Sequence, residues 1–159
     1  MAKSLKVELW RLGINLLFPA YVGTGAWVQY IADDFKEIRL KLPLSWRTKN
    51  YVGTIFGGSM YAAIDPFYMI MLIKNLGGKE YVVWDKAANI RFRRPGRETL
   101  YAKFLITDEE LAEIKLLLET QKSVDRTYHV ELVNKEGVAH AIIEKTVYVA
   151  KKREINSQK

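Results

Sequence analysis

Asn50-Tyr51-Val52-Gly53-Thr54-Ile55-Phe56-Gly57-Gly58-Ser59-Met60-Tyr61-Ala62-Ala63-Ile64-Asp65-Pro66 is the stretch on which the reading of this chain turns. From Ser59 to Leu76 the sequence is apolar on nearly every side, and a helix without a polar face is a buried helix. The spacing predicts one long helix over about 57–76, enclosed by something larger than a single neighbouring helix. Asp65 interrupts the apolar run with a carboxylate. Burial disfavours its ionised form, so it needs either a hydrogen-bonding partner or a chemical task. Pro66 removes a backbone donor and collides with the preceding turn, which bends the helix and frees the Ala62 carbonyl. Asp65 can equally be read as the N-cap of the segment from Pro66 onward, with Pro at the first helical position. Gly57-Gly58 also has two readings. It can expose backbone N–H groups to a ligand, as an oxyanion hole requires, or let the helix pass close to a strand.

Outward from this segment the periodicity changes. Leu5, Leu9, Leu12 and Leu16 recur at helical spacing after Ser4, an available N-cap, and predict a helix to about residue 15, which Phe18-Pro19 ends. Residues 26–32 and 37–42 read as strands forming a hairpin across Asp33-Asp34. Beyond the buried helix come strands over 81–93, where Ala88, Ile90 and Phe92 share a face, and 99–106, where Leu100, Ala102, Phe104 and Ile106 do. Pro95-Gly96 reads as the turn between these two. Thr107-x-x-Glu110 is a capping box that opens an amphipathic helix over about 108–121, with Leu111, Ile114 and Leu118 as its stripe. Strands over 127–134 and 139–150 make a last hairpin. The predicted class is α+β: an antiparallel sheet of about six strands wrapped around one long buried helix, with an N-terminal and a second amphipathic helix beside it.

The 159 residues are enough for one domain, placed at 1–150, and 49% hydrophobic residues can fill its core. Lys and Arg number 25 against 18 Asp and Glu, a net charge of +7, which is too little for a disordered chain. Residues 151–159 read as a basic, solubilising tail. With no cysteine there is no disulfide, thiolate metal site or Cys nucleophile, and a cytoplasmic location is expected. No apolar run of about 18 residues suggests a membrane span, and residues 1–6 do not lead into an export signal.

Taken together, these residues resemble the hotdog-fold acyl-CoA thioesterase superfamily, in its phenylacetyl-CoA-thioesterase-like branch. The motif there is Asn, five residues, His-Gly-Gly, then Asp seven residues on. Asn50, Gly57-Gly58 and Asp65 keep that register, and residues 88–102 resemble the third and fourth strands with an Arg-Pro turn. The family's His is Phe56 in this chain, which is similar to an uncharacterised, domain-of-unknown-function branch. The resemblance covers about residues 26–150. It implies a hotdog fold, a homo-oligomer that is a dimer or a dimer of dimers, and hydrolysis of an acyl-CoA thioester. Asp65 would be general base or nucleophile, Asn50 would position water or thioester, and the Gly57 N–H would hold the oxyanion. In relatives the site forms across a dimer interface. Phe56, Gly58 and Tyr61 would then line the acyl site. The alternative is a binder that holds the same ligand without cleaving it. No cofactor is expected, coenzyme A entering only as part of substrate or ligand.

Arg91 and Arg93 alternate on a strand, with Arg94 and Arg97 around the Pro95 turn. Such a group suits the phosphates of coenzyme A, or it is the solvated outer face of a sheet. Other patterns fail. His129 and His140 lie on different strands without acidic or Cys partners at ligand spacing, read as exposed strand residues, and predict no metal. Ser59 lacks the Gly that a nucleophile elbow needs, and Gly53 to Gly58 lacks the Lys of a phosphate loop. Nucleic acid is not expected as a partner, a tail-driven contact being the form such binding would take.

Overall fold

The computed structural model describes residues 4–152. Its elements run α1 (Leu5–Leu16), α2 (Pro19–Thr24), β1 (Trp27–Ile31), β2 (Glu37–Leu42), α3 (Gly57–Ile64), α4 (Phe67–Leu76), β3 (Tyr81–Phe92), β4 (Leu100–Leu105), α5 (Asp108–Thr120), β5 (Ser123–Val133) and β6 (Ala139–Lys151). The strands form one antiparallel sheet in the order β1-β2-β4-β5-β6-β3. Met60, Ala63 and Ile64 of α3 and Phe67, Met71 and Leu72 of α4 are buried in one core with Leu40, Phe104, Leu132, Ile143 and Val147 of the strands. The apolar run therefore lies in the core, broken at Asp65-Pro66 into two helices as the missing Pro donor requires. None of the helices is long and apolar enough to cross a membrane, among the described residues.

Both expected hairpins form, β1 with β2 and β5 with β6. The third does not. Strand β3 pairs with β6, while β4 lies between β2 and β5, so Pro95-Gly96 belongs to a crossing segment rather than a hairpin turn. Strand length explains the choice. The 12-residue β3 finds a partner of matching reach in the 13-residue β6, whereas the six-residue β4 is matched along its whole length by β2. The crossing segment is tied down on both sides. Arg93 and Arg94 donate their N–H groups to the His140 carbonyl, the His140 ring reaches the Pro95 carbonyl at 3.0 Å, and Ile55 N–H donates to Gly96. His140 is thus buried, contrary to its reading as an exposed strand residue; His129 is exposed and faces Glu144 at 3.1 Å.

The N-terminal helix has the expected extent with a different face inside. Leu5, Leu9, Leu12 and Leu16 are exposed, and Val7, Ile14 and Asn15 are buried. Helical spacing describes a stripe without saying which way it faces, and here a polar anchor decides. The Asn15 amide accepts the Val28 N–H at 2.8 Å and donates to the Val28 carbonyl at 2.9 Å, holding α1 on the outer edge of β1. Asn15→Ala leaves these groups of a buried strand residue short of partners, and a loss of about 1–3 kcal/mol is expected as a lower denaturant midpoint. Helix α2 was not anticipated; Pro19 ends α1 but also starts a new helix at its first position. It stops at Gly25, whose φ of 78° suits glycine.

At the other end Thr107 accepts the Glu110 N–H, as the capping box predicts, and Leu111, Ile114 and Leu118 are buried. Lys151, assigned from sequence to the tail, closes β6, and Lys152 donates its N–H to Glu80 and its ammonium to the Gly78 carbonyl. The remainder of the tail, 153–159, lies outside the described residues.

Candidate functional site

The loop before α3 is built on Asn50. Its side-chain oxygen accepts the N–H groups of Val52 and Thr54, and its amide donates to Thr54 Oγ1 at 2.9 Å. One amide N–H remains for a ligand. Asn50, Thr54, Ile55, Gly57, Met60, Phe92, Arg93, Arg94, Pro95 and Gly96 line a cavity of about 390 Å³ at the start of α3. The first-turn N–H groups of a helix have no preceding turn to receive them, so Gly57 and Gly58 offer donors here. The close-approach reading of Gly57-Gly58 is met. A Cβ on Gly57 would stand 2.9 Å from the Phe92 ring of β3, and one on Gly58 2.3 Å from the Phe56 ring. Two phenyl rings therefore flank the helix start, exposed at 57% for Phe56 and 55% for Phe92.

Of the four arginines, the fold brings Arg93 and Arg94 to this cavity, and Arg94 also donates to the Ala139 carbonyl at 2.9 Å. Arg91 and Arg97 are exposed and do not line it. The apolar set Ala88, Ile90 and Phe92 does share a face. Their cross-strand partners are Lys145, Ile143 and Ala141, all buried, because a bulge between Asp85 and Ala87 shifts the strand by one residue. Yet Ala88 and Phe92 are exposed and Ile90 is half-buried. Beside them a second hollow, about 480 Å³, is lined by Tyr61 and by β3 from Asp85 to Ala88 and Ile90.

Asp65 lies two turns along from Gly57, at the bend between α3 and α4. It does not cap α4: the N-cap position is Pro66, and the Asp65 carboxylate is engaged by Lys145 of β6 instead. Sequence reasoning passed over Lys145. Its ammonium is fully buried and uses all three donors, on Asp65 Oδ1, on the Asp65 carbonyl at 2.5 Å and on Asp85 Oδ2 at 3.0 Å. The Tyr61 ring lies 5.6 Å from the same nitrogen. A signal existed in the sequence. Along β6, positions 141, 143, 147 and 149 are buried and apolar, and 145 is the charged residue in that series. Asp85 was missed likewise, following buried Tyr81 and Val83 on one face of β3.

The surroundings set the charges. Burial raises the Asp85 carboxyl above the ordinary carboxylate range, with the nearby Asp65 charge adding to it and Lys145 opposing both. Burial, then the Asp65 carboxylate and more distantly Asp85, push the Tyr61 phenol up to about 12. Asp85 Oδ1 is buried without a hydrogen bond. The carboxylates of Asp65 and Asp85 are 42% and 23% exposed, so Asp65 keeps an open edge.

A curved six-stranded antiparallel sheet around a central helix broken after two turns defines a hotdog fold. The chain matches the domain of unknown function DUF4442 over residues 8–149 and belongs to that family. Its structure resembles that of a protein of unknown function from Pseudomonas aeruginosa described as a probable thioesterase, at a TM-score of 0.83 and 14% identity, over 94% of this chain and 99% of that one. A protein of unknown function from Chlorobaculum tepidum gives a TM-score of 0.71 at 17% identity, covering 91% and 94%. A thioesterase from Haemophilus influenzae gives 0.67 at 15% identity, covering 97% and 96%. No curated protein matches the sequence.

Proposed function

We propose that the protein is an acyl-CoA thioesterase in which Asp65 is general base or nucleophile and the Gly57 N–H is the oxyanion donor. The supporting observation is a held, partly open carboxylate on the same central helix whose glycine start borders a cavity with Asn50, Arg93 and Arg94. As general base, Asp65 takes a proton from water as the water oxygen adds to the thioester carbon. As nucleophile, its own oxygen adds and water later cleaves the anhydride. In either course the carbonyl oxygen becomes an anion that a helix-start N–H stabilises, and the thiolate of coenzyme A leaves and takes up a proton. The remaining Asn50 N–H orients the carbonyl, Arg93 and Arg94 meet phosphate, and Phe56, Gly58 and Tyr61 border the acyl group. Arg91 and Arg97 are left as outlying positive charges. A cytoplasmic setting goes with such a substrate.

A homodimer is part of this reading. Eight residues of helix separate Gly57 from Asp65 by about 12 Å along the axis, too far for both to serve one carbonyl carbon and its oxygen. Strand β3 is a long edge strand carrying exposed Trp84 and Phe92, which suits pairing with a second copy. Asp65 of one chain would then face Asn50 and Gly57 of the other. Ala88→Pro, which removes a donor from this edge, is expected to give a monomer in sedimentation analysis and to abolish thiol release with the monomer still folded.

The test of function is thiol release from short, aromatic and long acyl-CoA thioesters by wild type and Asp65→Asn. The ion pair of Asp65 with Lys145, together with exposed Phe56 in place of a polar residue, favours a second reading as an acyl-CoA binder. Binding by calorimetry without release in either protein would establish that one.

A further inference from the structure

We infer that Lys145 is a positioning residue for Asp65 and that Asp85 regulates its hold, the three forming one charged unit in which two carboxylates share one buried ammonium. This rests on the reading of Asp65 as the reacting carboxylate. The geometry is what carries it. Lys145 grips Asp65 twice, by the side-chain Oδ1 and by the main-chain carbonyl, so both the rotamer and the bend of the helix at that residue are fixed by one cation. Its third donor goes to Asp85 Oδ2 at 3.0 Å. With no donor left over and no exposure, the ammonium cannot touch a ligand. It acts through Asp65 alone.

A lysine placed here only to fill the core is a poor choice, since a side chain of similar length without charge would fill it without desolvating an ion. The arrangement gives instead a carboxylate held in direction from behind while part of it stays exposed. Asp85 competes for the same ammonium. Its second oxygen is buried and unbonded, so its charge is satisfied by Lys145 and by nothing else among the described residues.

The groups around Asp65 are few. From α3 comes Tyr61, from β3 Asp85, and from β6 Lys145. Lys86, next to Asp85, is turned to Asp125 at 2.5 Å. On β5 the cross-strand neighbour of Lys145 is Tyr128, whose hydroxyl is donated to Glu110 at 2.8 Å, and Glu110 is itself paired with Arg126. Two substitutions therefore pull the unit in opposite directions. Lys145→Met removes the cation and keeps the length. Asp85→Asn removes the competitor and keeps an acceptor for the ammonium.

Two measurements on the folded full-length variants test this. Lys145→Met is expected to lower kcat by about 100-fold, as loss of a reacting group's alignment does, with KM changed less than about threefold. Its acid limb of kcat/KM moves to higher pH, and that of Asp85→Asn moves to lower pH. The same opposed displacement is expected in the pH titration of the Asp65 carboxyl carbon followed by NMR, which needs no turnover. Should the wild type release no thiol from any thioester, the proposed activity falls while the NMR comparison still decides this inference. A folded Lys145→Met with wild-type kcat and an unmoved acid limb overturns it, as does an Asp65 resonance that titrates identically in all three proteins or shifts the same way in both variants. If Lys145→Met does not fold, Asp85→Asn against wild type settles the matter: a downward displacement supports the inference and none overturns it.

Discussion

Asp65→Asn is expected to reduce thiol release by about 100- to 10,000-fold, the range over which a positioned acid or base contributes. The amide has nearly the shape of the carboxylate, and its oxygen still accepts from Lys145, so the bend between the helices persists. What it loses is the ability to take a proton from water or to attack carbon. The control is thermal unfolding. The variant should melt within a few degrees of wild type, because the carboxylate is 42% exposed and no buried cavity opens. Release at the wild-type rate with an intact fold would show that Asp65 does no chemistry, and acyl-CoA binding without release by either protein would make the chain a binder.

The largest loss of stability is expected at Phe67→Ala, about 3–5 kcal/mol as for other buried aromatic truncations. Phe67 is fully buried in the first turn of α4, edge-on to Tyr21 at 5.5 Å and 5.0 Å from Phe104 of β4. It is where α2, the central helix and the sheet meet, and Tyr21 reaches on to the Ala63 carbonyl. None of these backbones can close on the gap, since each is held by its own hydrogen bonds. A loss of that size approaches the whole stability of many domains, so a denaturant midpoint shifted strongly downward, or a protein unfolded at 37 °C, is the expected result. Leu105→Ala, at an exposed position of β4, should shift the midpoint little.

The candidate residues stood out where chemistry and spacing coincide. Asn50, Gly57-Gly58 and Asp65 occupy one short stretch, and the structure puts Asn50 and Gly57 on a common cavity. Asp65 was singled out because a carboxylate in an apolar helix is unusual, but its two readings could not be separated locally. The cation that separates them is Lys145, 80 residues away in sequence and on another strand. The arginine group was legible as a concentration of charge only. Whether a guanidinium reaches the cavity depends on the path of the segment after β3, which brings in Arg93 and Arg94 and leaves Arg91 and Arg97 outside.

By itself the sequence determined the elements that rest on local rules. The bend at Pro66, which the structure makes a break between two helices, follows from a missing N–H, the start of α5 from the Thr107 cap, and the burial of the central helix from its lack of a polar face. Tertiary structure decided three things that period and propensity leave open. Which strand β3 joins depended on matching its length to β6. Which face of α1 turns inward depended on Asn15 reaching Val28. Which group Asp65 pairs with depended on a buried ammonium shared with Asp85. In each case the deciding interaction joins residues far apart in the chain, where spacing along the sequence carries no information and only the packed sheet brings the partners within bonding distance.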